Sequence, residues 1–117
     1  MKKLTTSLLV LSLAIPLQVF AFGAIAVDDA ADDNDAGYGF VTGEDSEAAA
    51  KAAALKQCKS GGNDNCRVVV WFKACGAYAS SKNYYGWGYG NTKKAATSMA
   101  LEKCGKDSCK VVISECE

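Results

Sequence analysis

Two stretches of the chain repeat one pattern of small apolar and polar positions. In each stretch the apolar positions fall at i, i+4, i+5 and i+8, which share one face of a helix. Ser46 and Thr92 stand where helix N-caps are expected. The pattern predicts one helix over 47–58 and a second after Thr92, each close to what it covers because its buried face is mostly small. The matching positions are Ala50, Ala54, Leu55 and Cys58 in the first stretch and Ala96, Ala100, Leu101 and Cys104 in the second.

Apolar segments on either side of each helix predict strands. The runs "RVVVWF" and "KVVI" have apolar residues on both faces, which is typical of central strands. The chain therefore reads as a duplicated unit of strand, Gly-aromatic segment, helix and strand. The predicted fold class is α+β, a small disulfide-stapled domain of two pseudo-symmetric repeats, over about 22–75 and about 76–117. The remaining matches are "GAIAV" at 23–27 with "GAYAS" at 76–80, and "GYGF" at 37–40 with "GWGY" at 86–89.

The first residues have the pattern of a secretory signal peptide. Lys2 and Lys3 precede a short apolar core at 8–17, and small residues at Val19 and Ala21 precede a cleavage point. The apolar core is too short for a transmembrane segment. We expect residues 1–21 to be removed and residues 22–117 to form one domain. The mature protein would be exported, either periplasmic or secreted, and the leader does not separate these two.

Six cysteines, all after the leader, predict a disulfide framework. The absence of histidine and of any C-x-x-C pair disfavours a metal site, so no metal and no cofactor are expected. Six cysteines allow 15 pairings, and only the repeat symmetry selects among them. We expect Cys75 and Cys116, each at the end of its strand, to be joined across the repeats. The expected local pairs are Cys58–Cys66 and Cys104–Cys109.

The formal net charge of zero hides an acidic segment. Every ionisable side chain from 28 to 47 is acidic, and "DDAADDND" spans 28–35. A solvated surface loop is favoured over a calcium loop, because the segment lacks the order of acids found in an EF-hand. It is also a candidate docking surface. Nucleic acid is not expected as a partner, since no basic cluster interleaves with aromatic residues. The candidate partner-binding acids are Asp28, Asp32, Asp33 and Asp35.

The segment "NYYGWGYG" at 83–90 alternates glycines with aromatic residues and is expected to form a hairpin or a loop. Its rings supply contact area for a protein partner or a sugar, or they fill the core beneath the helices. If Trp87 points inward, strand alternation would turn Gly86 and Gly88 outward. The exposed candidates would then be Tyr84 and Tyr85. Tyr84, Tyr85 and Trp87 are therefore the aromatic candidates for partner binding.

The order of these motifs resembles a family of small exported bacterial proteins defined only as a domain of unknown function, number 4189. The resemblance rests on "GAIAV", on "AALKQC" and "CRVVV" in the first half, and on "ALEKC" and "CKVVI" in the second. The acidic "DDAADDND" is bulkier than the short turn expected after the first strand. The resemblance implies export and a cystine-stapled fold, and it brings no catalytic residues.

The sequence favours a non-catalytic binding module. Without histidine, the chain lacks the base of the usual hydrolytic triads. The leading hypothesis is an exported module acting through an unidentified protein partner, for example by inhibiting or neutralising an extracytoplasmic enzyme or toxin. The alternatives are a surface protein associated with the cell wall or a glycan, and a secreted effector acting on another organism or a host.

Overall fold

The computed structural model describes residues 21–28 and 37–117. Within these ranges the order strand, strand, helix, strand occurs twice, which confirms the α+β duplication. The predicted leader before Ala21 lies outside the described residues, and so does segment 29–36 with Asp32, Asp33 and Asp35. The elements are β1 (Phe22–Asp28), β2 (Gly37–Glu44), α1 (Glu47–Ser60), β3 (Arg67–Phe72), β4 (Cys75–Ser80), β5 (Tyr85–Gly90), α2 (Lys93–Cys104) and β6 (Lys110–Cys116).

Each half forms a three-stranded antiparallel sheet. The first sheet has the order β2-β1-β3 and the second the order β5-β4-β6. The prediction that β3 and β6 are central strands is therefore wrong, since both lie at an edge. Their two apolar faces arise because each sheet has a helix on one side and the other sheet on its second side. On β3, Val68 packs with the α1 cluster, whereas Val70 lies between the sheets, because the register shifts at Val69 between them.

The molecule is a four-layer sandwich of helix, sheet, sheet and helix. Small side chains fill the layer between each helix and its sheet, whereas larger ones fill the layer between the sheets. Burial of these larger side chains supplies most of the apolar driving force for joining the two halves. The central buried residues are Ile25, Val27, Val70, Phe72 and Tyr78.

Local signals set the helix starts as predicted, whereas α1 extends to Ser60, two residues beyond its predicted end. The Ser46 hydroxyl accepts the N–H of Ala49 at 3.0 Å, and the Thr92 hydroxyl accepts the N–H of Ala95 at 3.0 Å. Both side chains thereby satisfy a backbone donor of the first helical turn that has no partner within the helix. Helix α2 ends at Gly105, whose φ of 75° suits glycine.

Glycines let both helices lie directly on the sheets. A Cβ on Gly39 would overlap the backbone of α1, and a Cβ on Gly86 or Gly88 would overlap the backbone of α2. The expectation that Gly86 and Gly88 face outward is wrong, because both are buried beneath α2. The face of β5 that carries only glycines lies against α2, because a side chain there would overlap the helix. Strand pairing makes Gly39 the equivalent of Gly86, because they pair with the matching residues Ala26 and Ala79. Aligning the repeats by sequence instead matches Gly39 with Gly88, two residues further along β5.

The structure contains three disulfides, and they follow the pairing that repeat symmetry predicts. Two of them tie the end of a helix to the start of the next strand. The third does not join the repeats as expected, because Cys75 begins β4 and faces Cys116 on β6 within the second sheet. Only Lys73 and Ala74 separate β3 from β4. The pairs are Cys58–Cys66, Cys75–Cys116 and Cys104–Cys109.

Candidate functional site

An open cleft of about 480 Å³ lies between β3 and β5. We call it the aromatic cleft, because Trp71, Trp87 and Tyr89 are among the residues that line it. One wall is the continuous stretch 69–74, and the facing wall is formed by the end of β5 and the next residue, Asn91. Its volume lies within the range typical of ligand pockets, about 300–1,000 Å³.

The alternation of glycine and aromatic residues on β5 places two of these rings. Since Gly86 and Gly88 face α2, strand alternation turns Trp87 and Tyr89 to the opposite face, toward the first sheet. Trp87 is half-buried against the core between the sheets, whereas Tyr89 is 52% exposed. The rings therefore do not fill space beneath the helix, which was one of the two expectations for this segment.

The wall opposite β5 comes from the end of β3 and the residues that follow it. Trp71 is 37% exposed, and its ring lies 6.1 Å from that of Phe22 between centroids. The neighbouring Phe72 is buried and contributes apolar surface. Lys73 and Asn91 are exposed and supply the side-chain polar groups of the lining. The cleft thus offers aromatic contact area with one cation and one amide beside it.

A row of exposed rings continues from the cleft along β5. Tyr85 stacks near Trp87 with ring centroids 6.1 Å apart, and it lies 6.3 Å from the buried ring of Tyr78. Tyr84 and Tyr85 are 47% and 45% exposed, as expected from the sequence. Whether they bind a partner stays a prediction.

Cations rest on several of these rings. The Nζ atom of Lys103 lies 4.9 Å from the Trp87 ring centroid, and that of Lys106 lies 4.8 Å from the Tyr84 centroid. The guanidinium carbon of Arg67 lies 4.8 Å from the Tyr85 centroid, so the first sheet contacts the second there. Each such contact stabilises the cation by its attraction to the ring face. The surface around the aromatic cleft is therefore basic as well as aromatic.

Asp28 does not belong to a solvated loop. It is 5% exposed, and one of its carboxylate oxygens accepts the N–H of Asn65 at 3.1 Å. As the last residue of the central strand β1, it pairs with Gly37 of β2. Asp28 is therefore corrected from a docking candidate to a structural residue. The remaining acidic candidates, and the calcium expectation with them, lie outside the described residues.

The described ranges contain no cluster of three or more metal-ligating side chains from His, Cys, Asp or Glu. Among these same residues, no helix is long and apolar enough to cross a membrane.

Trp71, Tyr89 and Asn91 line the cleft but are not among the candidates predicted from the sequence. Trp71 belongs to an apolar run that predicts a buried central strand, and only the sheet order makes it an edge residue. The sequence contains one signal for this site, namely its two tryptophans, since both of them line the cleft.

Comparison with known proteins yields matches of two kinds. Protein Rv1269c of Mycobacterium tuberculosis and Protein Mb1300c of Mycobacterium bovis are each 45% identical to the chain over 58 residues. That stretch is 50% of this chain and 44% of either relative, so the match covers less than half of the length of these relatives. No solved structure matches the chain.

The second match is to a family model, described as Domain of unknown function (DUF4189), over residues 22–116. This family indicates no catalytic class. The matched residues run from the first residue of β1 to the last residue of β6 and so include both sheets and both helices. With the whole duplicated unit matched in this way, the chain belongs to the family of the domain of unknown function 4189.

Proposed function

We propose that this protein is an exported, non-catalytic binding module that holds a protein partner in the aromatic cleft. Inhibition or neutralisation of an extracytoplasmic enzyme or toxin is a concrete form of this role. The observation that carries the proposal is the grouping of Trp71, Trp87 and Tyr89 around one open cleft. Aromatic residues, tryptophan and tyrosine above all, are enriched among the residues that dominate protein–protein binding energy.

The frame behind the cleft supports the same role. Its walls are short strands of two sheets that pack on each other through a buried core. The disulfide Cys75–Cys116 begins one residue after Ala74, which lines the cleft. A frame held in this way loses little conformational freedom on binding, and that loss is one of the main costs of association. The disulfides also agree with an oxidising compartment, in line with the predicted export.

Glycan binding is the second candidate function. The observation in its favour is that Asn91 lines the cleft together with the exposed residues Trp71 and Tyr89. An aromatic face can pack against the apolar face of a sugar while an amide hydrogen-bonds its hydroxyl groups. A protein partner is preferred because the lining is mostly apolar, whereas a sugar needs several polar contacts.

The test is a capture experiment with matched variants. Oxidised protein, immobilised, is exposed to envelope and secreted proteins and separately to cell-wall polymer. We expect one protein to be retained by the wild type and lost by the double variant Trp71→Ala, Tyr89→Ala. The control is Tyr38→Ala, which removes a ring that is 45% exposed but does not line the cleft.

The outcomes separate the two functions. A protein retained equally by all three forms binds elsewhere, and the cleft would not be the partner site. Retention of wall polymer alone, lost in the double variant, would favour the glycan function. Circular dichroism of each variant shows that a lost partner is not the result of unfolding.

A further inference from the structure

We infer that the aromatic cleft takes an extended acidic segment of the protein partner, which adds as a strand along the free edge of β3. This inference rests on the proposed function and names the chemistry of the partner. It combines two independent observations, the access to the edge of β3 and the charge around the cleft.

The first observation is that the cleft follows the edge of a strand. Among the strands of residues 21–28 and 37–117, β3 pairs with β1 alone, so its second edge has no neighbouring strand from this part of the chain. Consecutive residues of β3 from Val70 to Phe72 line the cleft, and Val69, Lys73 and Ala74 extend this wall at both ends. Successive side chains of a strand point to opposite faces, so an unbroken run of lining residues means that the backbone edge borders the cleft. Such an edge can hydrogen-bond an added strand.

The second wall selects the side chains of the added strand. Trp87 and Tyr89 face the edge of β3 across the cleft, and their rings are partly exposed there. A strand lying along β3 would direct alternate side chains toward these rings. Apolar side chains at the centre of the segment therefore fit the cleft.

The charges indicate acidic residues on both sides of that apolar centre. Lys73 follows the last residue of β3, and its ammonium lies 5.6 Å from the Phe22 ring centroid. Lys103 adds a second cation, because its ammonium rests on Trp87. None of the residues that line the cleft is acidic. Within the described part of the chain, Lys73 and Lys103 form no salt bridge, so both ammonium groups can meet an incoming carboxylate.

Tryptophan fluorescence provides the readout. The chain has two tryptophans, and both line the cleft, so an occupant of the cleft should change the emission. The probes are capped seven-residue peptides without tryptophan. Each has a central Val-Phe-Val, flanked on both sides by a pair of glutamates, glutamines or lysines. We expect the glutamate peptide to bind about tenfold more tightly than the lysine peptide, with the glutamine peptide between them.

Salt and protein variants locate the charge effect. The difference between the peptides should shrink at 0.5 M salt, because exposed charges are then strongly screened. Lys73→Gln and Lys103→Gln should each weaken the glutamate peptide by about threefold and leave the glutamine peptide unchanged. The matched control is Lys56→Gln on α1, which lies on the outer side of the first sheet and does not line the cleft.

Backbone pairing is tested on the peptide, which leaves the protein unaltered. Methylation of alternate backbone nitrogens of the glutamate peptide removes hydrogen-bond donors on one edge. Methylating the other set of nitrogens blocks the opposite edge. We expect one of the two methylated peptides to lose about tenfold or more in affinity.

Each remaining outcome has a definite meaning. Equal binding of the three peptides would overturn the acidic preference and leave the proposed protein binding in place. Unchanged affinity of both methylated peptides would overturn strand addition. Unchanged tryptophan emission with every peptide would overturn the inference. The capture experiment would still test the proposed function separately. A response to tetragalacturonate alone would assign the cleft to an acidic glycan and overturn the inference.

Discussion

Single atoms decide how closely the helices approach the sheets. Gly88 lies beneath α2, and a Cβ there would overlap the carbonyl oxygen of Ala96. The obstacle is helix backbone, which cannot rotate away as a flexible side chain can. The same absence of a side chain turns the neighbouring Trp87 and Tyr89 toward the cleft. One residue type thus serves both packing and the candidate site.

Replacement of Gly88 by alanine should destabilise the protein by about 1–3 kcal/mol, the usual cost of inserting a methyl group into a packed layer. Urea unfolding measures this loss. The control is Gly61→Ala, at an ordinary φ of −79°, where an added Cβ would lie 3.3 Å from the Asn63 amide nitrogen and a change within about 0.5 kcal/mol is expected. Equal stability of Gly88→Ala and wild type would contradict the close packing of α2.

The two exposed tyrosines should differ in their contribution to stability. Tyr84→Ala should change the free energy of unfolding by no more than about 0.5 kcal/mol, as is usual for exposed positions. Tyr85→Ala should cost about 1 kcal/mol, because its ring contacts Tyr78 and Trp87 and carries Arg67 on its face. A large loss for Tyr84→Ala in thermal unfolding would show that this ring belongs to the core.

At the scale of elements, the cysteines connect neighbours of two kinds. Cys58–Cys66 and Cys104–Cys109 link each helix to the strand that follows it, with sequence separations of 8 and 5. Cys75–Cys116 connects strands that are adjacent in space but separated by 41 residues along the chain. Closing the longer loop removes more conformational entropy from the unfolded chain.

Removal of the disulfides should follow this order. In the chain-entropy model, replacing both members of Cys75–Cys116 by alanine should cost about 4 kcal/mol, against about 2 kcal/mol for Cys104–Cys109. Denaturant unfolding of the two double variants checks the difference. The reverse order would mean that the local bond at the end of α2 holds more of the fold than its loop length indicates.

At the scale of the whole molecule, Phe72 joins the two halves. Its ring occupies the space where a Cβ on Gly23 or Gly76 would lie, and these glycines hold equivalent places in β1 and β4. The ring also stacks on Phe40 with centroids 6.0 Å apart. The side chain therefore fills the layer between the sheets and borders the aromatic cleft as well.

Phe72→Ala should cost about 3–5 kcal/mol, because a buried aromatic ring leaves a cavity that strands tied by disulfides fill poorly. Phe72→Leu, which keeps much of the volume, should lose less. Differential scanning calorimetry on both variants provides the comparison. Similar unfolding temperatures for Phe72→Ala and wild type would show that the halves do not depend on this ring.

Features that depend on neighbours along the chain or on the repeat follow from the sequence alone. The helices and their caps follow from local spacing, since Ser46 and Thr92 act within one turn. The cysteine pairing follows from comparing the two copies. The resemblance to the family, confirmed over 22–116, covers the same duplicated unit.

The sequence does not show which face of each strand packs against a helix and which packs against the other sheet. That choice is seen in the tertiary structure. A period of two places neighbouring side chains on opposite faces without saying which face is covered. The orientation of Trp87 and Tyr89 toward the first sheet depends on that choice. The edge position of β3 depends instead on the order of the strands in its sheet. The helices can approach closely only on the glycine face of each sheet, so that face packs against the helix. The aromatic residues of β5 are therefore on the opposite face, where they line the cleft.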